Sequence, residues 1–283
     1  MLYIKILDIS SSKKIGELKY RLKGVESLML LNAEFDFETV IADLDKRGFC
    51  LIPSIISEKK ADDARVILEQ LVEEEATEES RKEKTQRIGR LAVKHPIFLE
   101  LMVHPIIVSL WKKYLGEDMI CSTWSGNVIF PGCEKINWHS DYPYWSIQPP
   151  YPPGRMAGQT IWMLNDLTSE NGATAVLPES HLKGVPPLPE VKKQWMEDGE
   201  VLTGNRGSVL VMHGACWHTA RSNKTKKNRS VLLGMYMKPW FIPQEDMRGQ
   251  LSEIVNPSPL VCQLMGKNQH RPNNVGENTK LKS

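Results

Sequence analysis

The feature that most restricts the fold is a change of pattern near residue 118. Beyond it, short strand-like runs alternate with loops containing Pro and Gly. The candidate strands are 120–130, 136–140, 158–165, 173–177, 207–212 and 229–237. Many short strands with turn signals between them predict an antiparallel sandwich or barrel. The segment 142–157 is rich in proline and aromatic residues and too long for a simple connection. Loops of that length are commonly lids or substrate-binding loops.

Upstream the periodicity is helical. Phe37, Val40, Ile41 and Leu44 share one face, and Gly48 stops the helix. Phe49-Cys50-Leu51-Ile52 reads as a strand. Ser57 is placed to cap a long helix whose buried stripe is Ala64, Ile67, Leu68, Leu71 and Val72. Residues 73–86 are almost purely charged and predict a solvated helix end running into a mobile loop, a second candidate lid. Pro96 and Pro105 stand where a proline opens a helix, which gives His95 and His104 structural roles. Residues 1–36 read as an N-terminal extension and the polar residues 266–283 as a frayed tail. The expected organisation is one domain over 37–265, helical over 37–117, with its β core at 118–245.

Bulk properties exclude several partners. A net charge of +2 with no long Lys/Arg tract argues against an obligate nucleic-acid partner. Five cysteines, odd in number and without a CxxC, argue against a disulfide framework or a cysteine zinc site. No apolar run reaches the roughly 18 residues of a membrane span, and the first residues lack the pattern of a signal peptide. A reducing cytoplasm is the expected setting, and the pattern leaves the oligomeric state open.

The chemistry concentrates in separated pieces. In a strand, residues i and i+2 point to the same side, so His139 and Asp141 can reach one ion together. A third ligand is available at His218, with His213 the rival five residues earlier. His218 is preferred because Arg229 follows it at the start of an apolar strand. Two imidazoles and one carboxylate bind one face of a metal and leave the other open, the geometry of non-haem iron(II) oxygenases. A guanidinium offers a planar fork to a carboxylate, so Arg229 beside the metal suits a dicarboxylate co-substrate. Tyr142, Tyr144, Trp145 and Tyr151 could form a substrate wall or simply pack the loop.

These pieces occur in order with Glu170-Asn171-Gly172-Ala173-Thr174, Leu177-Pro178-Glu179-Ser180-His181, Gly207-Ser208-Val209 and Asn223. Together they resemble the phytanoyl-CoA dioxygenase family over about residues 37–265. The resemblance implies a mainly β fold with flanking helices around a double-stranded β-helix, the cupin-like jelly roll. It implies His139, Asp141 and His218 as iron ligands and Arg229 as the anchor of 2-oxoglutarate. Asn127 and Arg87 match the positions of further co-substrate contacts. Members often carry a hydroxyl two positions after the distal histidine; Ala220 departs from this, with Thr219, Thr160 or Ser230 as substitutes. The carboxylate at Asp141 favours hydroxylation over halogenation. His181 and the Glu170–Ala173 turn are expected to serve backbone geometry.

The implied cofactors are iron(II), 2-oxoglutarate and O2. The implied reaction is hydroxylation of a C–H bond of a small soluble metabolite, as in natural-product tailoring, with release of succinate and CO2. An acyl-CoA substrate, desaturation or cyclisation are alternatives. A zinc or manganese hydrolase or isomerase, or a non-catalytic metal-binding jelly roll, would need no Arg229.

Overall fold

The computed structural model describes residues 35–134, 137–187, 199–267 and 269. The chain divides into residues 1–37 and residues 38–283. The expected N-terminal extension and C-terminal tail lie almost wholly outside the described residues.

Helix α1 (Phe37–Lys46) ends before Gly48, and strand β1 (Phe49–Ile52) follows. The Ser57 side chain accepts from the Lys60 amide and opens helix α2 (Glu58–Glu74), as its N-cap position predicts. Ala61, Ala64, Leu68 and Val72 form its fully buried stripe, while Ile67 and Leu71 are half-buried flanks. The charged segment is not a mobile loop. A reciprocal Thr77–Ser80 capping box starts helix α3 (Glu78–Glu83), and strand β2 (Thr85–Ile88) follows at once. Ile88 is buried and Gln86 donates to the Glu75 carbonyl at 2.9 Å, so two residues between the charges tie the strand down. Helices α4 (Leu91–Lys94), α5 (Pro96–Met102) and α6 (Pro105–Leu115) complete this part. Pro96 and Pro105 occupy first turns as expected, and the His95 ring caps α5 by accepting from Ile97 at 3.2 Å.

The remaining strands are β3 (Ile120–Ile129), β4 (Ala157–Met163), β5 (Thr174–Val176), β6 (Glu200–Leu202), β7 (Val209–His213), β8 (His218–Ala220) and β9 (Arg229–Met237). They pair antiparallel in a six-stranded sheet, β1-β7-β4-β9-β3-β2, and a three-stranded sheet, β6-β5-β8. Both edges of the larger sheet come from residues 37–117: β1 is the strand read at Phe49–Ile52, whereas β2, four residues at the end of the charged segment, is unexpected from the sequence. The expected strand at 136–140 reduces to one bridge between His139 and His218, with residues 135 and 136 outside the description.

Alternation along the strands assigns two faces to the large sheet. Ile161, Met163, Leu210, Met212 and Val231 point inward against Val176 and Leu202 of the small sheet and Ala173 just before β5. The opposite face carries the helices. There Gly126 meets Leu68 of α2, where a Cβ would lie 2.3 Å from its Cδ1. Gly158 meets Trp111 of α6, where a Cβ would lie 2.1 Å from the indole. Glycine at these two points lets the helices seat directly on the sheet backbone. The result is a two-layer β core with one helical flank, the jelly-roll architecture expected from the sequence.

Candidate active site

The site lies between the two sheets. A bridge in which His139 and His218 exchange backbone hydrogen bonds, each 3.0 Å, brings the two histidines together. The Asp141 amide donates to the Gly214 carbonyl at 2.8 Å, which fixes the carboxylate beside them. The ligating atoms of His139, Asp141 and His218 lie within 4.8 Å of one another. The Nε2 atoms of His139 and His218 stand 4.0 and 3.7 Å from the carboxylate oxygens. Each histidine Nδ1 faces a backbone carbonyl, Asn137 at 2.8 Å and Cys216 at 3.0 Å. A proton on Nδ1 satisfies those carbonyls and leaves the Nε2 lone pairs toward the shared centre. Loss of solvent and the adjacent His218 imidazole hold the His139 pKa down to about 4, so it is neutral near pH 7.

Two orphan polar atoms describe what this cavity fits. Asp141 Oδ2 is buried without a hydrogen-bond partner. Arg229 is only 2% exposed, and its Nε is also without a partner. Its Nη1 lies 3.5 Å from Asn127 Oδ1, and its Nη2 donates to Thr174 Oγ1 at 3.3 Å. Neither partner carries charge, and burial alone lowers this guanidinium to about 10. A buried cation without an anion is costly, so the pocket is built for an incoming carboxylate. The cavity, about 190 Å3, is lined by these groups with Arg87, Gln159, Ile161, Ala220 and Leu233.

Six of the sequence-derived candidates converge here, while Thr160 and the four aromatic residues Tyr142, Tyr144, Trp145 and Tyr151 do not line the cavity. His139, Asp141, His218, Arg229, Asn127 and Arg87 all line the cavity. Thr160 stands on the helical face, where its Oγ1 accepts the Trp111 indole hydrogen at 2.7 Å. Its neighbour Gln159 points inward instead, because side chains alternate along β4. Tyr144 and Tyr151 are 1% and 7% exposed and do not line the cavity. The Tyr144 hydroxyl donates to Gly154 at 3.1 Å and accepts from Met156 at 3.2 Å, holding the 142–157 loop together. Of the proposed aromatic wall, half-buried Tyr142 and the 58%-exposed Trp145 remain available, with ring centres 5.7 Å apart. The Trp145 amide turns back to the Asp141 carbonyl at 3.3 Å, so the indole follows Asp141 by one turn.

Sequence reasoning missed Thr174. Ala220 and Thr174 are directly paired across β8 and β5, so they share one face. The hydroxyl absent at Ala220 is thus supplied by its cross-strand neighbour. The substitutes considered from sequence are committed elsewhere: Thr219 accepts from Asn137, and Ser230 donates to Glu69. Asn223 and His213 are structural. Asn223 donates to the Ile129 and Lys227 carbonyls, shaping the loop between His218 and Arg229. His213 Nδ1 accepts from the Ala215 amide at 3.0 Å. His181 Nε2 meets the Asp45 carbonyl at 2.9 Å, consistent with a backbone-shaping role.

The residue pattern of the phytanoyl-CoA dioxygenase (PhyH) family matches residues 44–231. The chain is 30% identical over 250 residues to dioxygenase af480 of Aspergillus fumigatus, covering 78% of this chain and 77% of that one. It is 26% identical over 208 residues to dioxygenase andF of Emericella variicolor, covering 70% of each. Among solved structures, HygX from Streptomyces hygroscopicus, with nickel and 2-oxoglutarate bound, superposes with a TM-score of 0.60 at 17% identity, covering 73% of this chain and 89% of that one. The epimerase SnoN with Fe3+, alpha ketoglutarate and nogalamycin RO superposes with a TM-score of 0.58 at 16% identity, covering 72% and 84%. These structures share the fold.

Proposed function

The chain belongs to the phytanoyl-CoA dioxygenase family, and on that premise we propose that it uses iron(II), 2-oxoglutarate and O2 to hydroxylate an unactivated C–H bond of a small metabolite. The observation that carries this reading is the pair of complementary vacancies in charge. An orphaned carboxylate oxygen faces two imidazoles, and a buried guanidinium across the same cavity lacks an anion. A divalent cation and a dicarboxylate fill both. A zinc or manganese hydrolase, or a purely structural metal site, gives no reason to bury Arg229.

In this reading His139, His218 and Asp141 would hold the iron(II) ion. The carbonyl bonds to each Nδ1 orient the rings and raise their basicity. Arg229 grips the far carboxylate of 2-oxoglutarate, helped by Thr174 and Asn127. Iron with 2-oxoglutarate and O2 supplies the oxidation: one oxygen atom enters the substrate C–H bond and the other leaves in succinate, with release of CO2. The protein contributes placement and exclusion of water, and the 142–157 loop beside Asp141 is the candidate cover. Natural-product biosynthesis is supported by two neighbours, HygX with hygromycin B bound and SnoN from nogalamycin biosynthesis.

Anaerobic addition of iron(II) and 2-oxoglutarate should give a weak visible charge-transfer band that Asp141→Ala and His218→Ala abolish. Admission of O2 should then produce succinate. A band of full strength without 2-oxoglutarate, or an Arg229→Ala protein with unaltered dependence on the keto acid, would defeat the assignment.

A further inference from the structure

The cavity is too small to enclose everything the reaction brings together. Its volume of about 190 Å3 must hold the metal and 2-oxoglutarate, while sites that enclose a drug-sized ligand begin at about 300 Å3. The body of the third reactant therefore lies outside, on the surface that adjoins Asp141. That surface is aromatic. Tyr142 directly follows Asp141, and the Trp145 amide turns back to the Asp141 carbonyl. The two rings stand 5.7 Å apart and are inclined at 59°, which makes an open corner. Strand β9 continues it. Leu233 lines the cavity, and Met235 and Met237 follow on the same face of the strand. Tyr142, Ile147 and Phe241, all half-buried, pack on the cluster that these methionines form with Tyr144. Phe241 thus covers the same end of the β core as the loop that carries Trp145. A different exposed indole, Trp240, belongs to another face: the Lys238 ammonium lies 5.0 Å over its ring and donates to the Leu115 carbonyl at the end of α6.

We propose that Tyr142, Trp145 and Phe241 form a shelf at the mouth of the site that binds the body of the substrate, and that this body is an uncharged, apolar ring compound of which only the carbon to be oxidised reaches into the cavity. Aromatic side chains bring a large apolar area with few rotatable bonds, and they favour a partner that offers a ring face or edge. The shelf is held from beneath, because the Tyr144 hydroxyl is bonded on both sides to Gly154 and Met156. An indole that is 58% exposed on so fixed a support is poised for a ligand rather than for further packing. None of the three side chains carries charge, so an ionised body would lose water there without gaining a partner. Arg87, at the rim, matches a co-substrate position and is counted with the diacid. The inference rests on the iron and 2-oxoglutarate reading for what happens at the metal, but the shelf itself consists of protein side chains alone.

The test uses the full chain, both metal-free and loaded anaerobically with iron(II) and 2-oxoglutarate. Four probes are titrated calorimetrically at pH 7: neutral 2-naphthol, anionic 2-naphthoate, cationic 2-naphthylmethylammonium and acyclic 1-octanol. In both forms 2-naphthol should saturate one site, at least about tenfold tighter than either ion and at least about threefold tighter than 1-octanol. Trp145→Ala should weaken 2-naphthol about tenfold and Trp145→Phe by less, because a ring remains. Phe241→Leu should weaken it about threefold, and Trp240→Ala should leave it unchanged. Trp145 is exposed, so its variants keep the fold, which circular dichroism checks. Binding of an ion or of 1-octanol as tight as that of 2-naphthol, no saturable binding, or equal affinity in wild type and Trp145→Ala overturns the proposal. So does a wild-type dimer in sedimentation that Trp145→Ala dissociates, or retention on phosphatidylcholine vesicles that the same variant loses, since a second copy or a lipid surface would then be the occupant. Each of these outcomes leaves the oxygenase reading intact if the visible band forms. Absence of that band with normal 2-naphthol binding defeats the oxygenase reading and spares the shelf.

Discussion

Replacing Thr174 with Val removes one hydroxyl and little else. The side chain is 2% exposed, and the two residues are close to isosteric, so the packing between β5 and β8 should survive. What is lost is the acceptor 3.3 Å from Arg229 Nη2. A hydrogen bond to a charged group contributes about 1.5–3 kcal/mol, and the length of this one places it at the lower end. A loss of about 1.5 kcal/mol is roughly tenfold in affinity. The 2-oxoglutarate dissociation constant of the iron(II) protein should therefore rise about tenfold, with iron affinity nearly unchanged. The cross-strand register allows a sharper control. Ala220 faces Thr174 directly, and Cβ atoms of such a pair are about 4.5–5.5 Å apart. Adding Ala220→Thr to Thr174→Val returns a hydroxyl to the same side of Arg229 and should recover most of the affinity. If Thr174→Val binds 2-oxoglutarate like wild type while remaining folded, the hydroxyl has no part in orienting Arg229. If the double variant is no better than the single one, the cross-strand exchange is wrong.

Asp141→Asn should abolish the rise in melting temperature that iron(II) or nickel gives wild type, while leaving the metal-free protein at least as stable, because Oδ2 is buried there without a partner. A persistent metal-dependent rise would remove Asp141 from the ligand set. Gly158→Ala should cost about 3 kcal/mol in denaturant unfolding, since the new methyl lies 2.1 Å from Trp111, which is fully buried and held by its bond to Thr160; an unchanged midpoint would show that α6 is not seated as described. His213 titrates at about 4, lowered by burial and by the His181 imidazole, against about 6.5 when unfolded. Both states are neutral above pH 6.5, and below it only the unfolded chain takes up the proton. This residue should therefore remove up to about 3 kcal/mol of stability as pH falls from about 6.5 to about 4. His213→Asn should flatten that slope in pH-dependent denaturation, and an identical slope would refute the assignment.

The legible parts of the sequence were those with a local cause. The Ser57 cap, the prolines opening α5 and α6, and the strand periods each depend on residues a few positions apart. The HxD spacing belongs to the same class, because two residues on one extended segment can share an ion whatever surrounds them. The misreadings came where a neighbour distant in sequence decided. Residues 73–86 looked solvated by composition, yet they contain the start of an edge strand held by only two buried side chains. Thr160 and Gln159 are adjacent in sequence and share the polar character of a contact residue. Only the pairing of β4 with β7 and β9 determines that Gln159 faces the cavity and Thr160 faces Trp111.

The amino-acid order alone therefore determined the chemical parts: two imidazoles, one carboxylate, one arginine after the second histidine, and a chain of short strands able to form two layers. It could not say which residues meet across the sheets, because register is a relation between segments and a shift of one residue reverses every side chain. The strand pairings placed the Thr174 hydroxyl opposite Ala220, left Arg229 buried without an anion, and set Arg87 across from Asn127 at the rim of the same cavity. The buried guanidinium and its hydroxyl partner are what distinguish this cavity from one that would hold a metal alone.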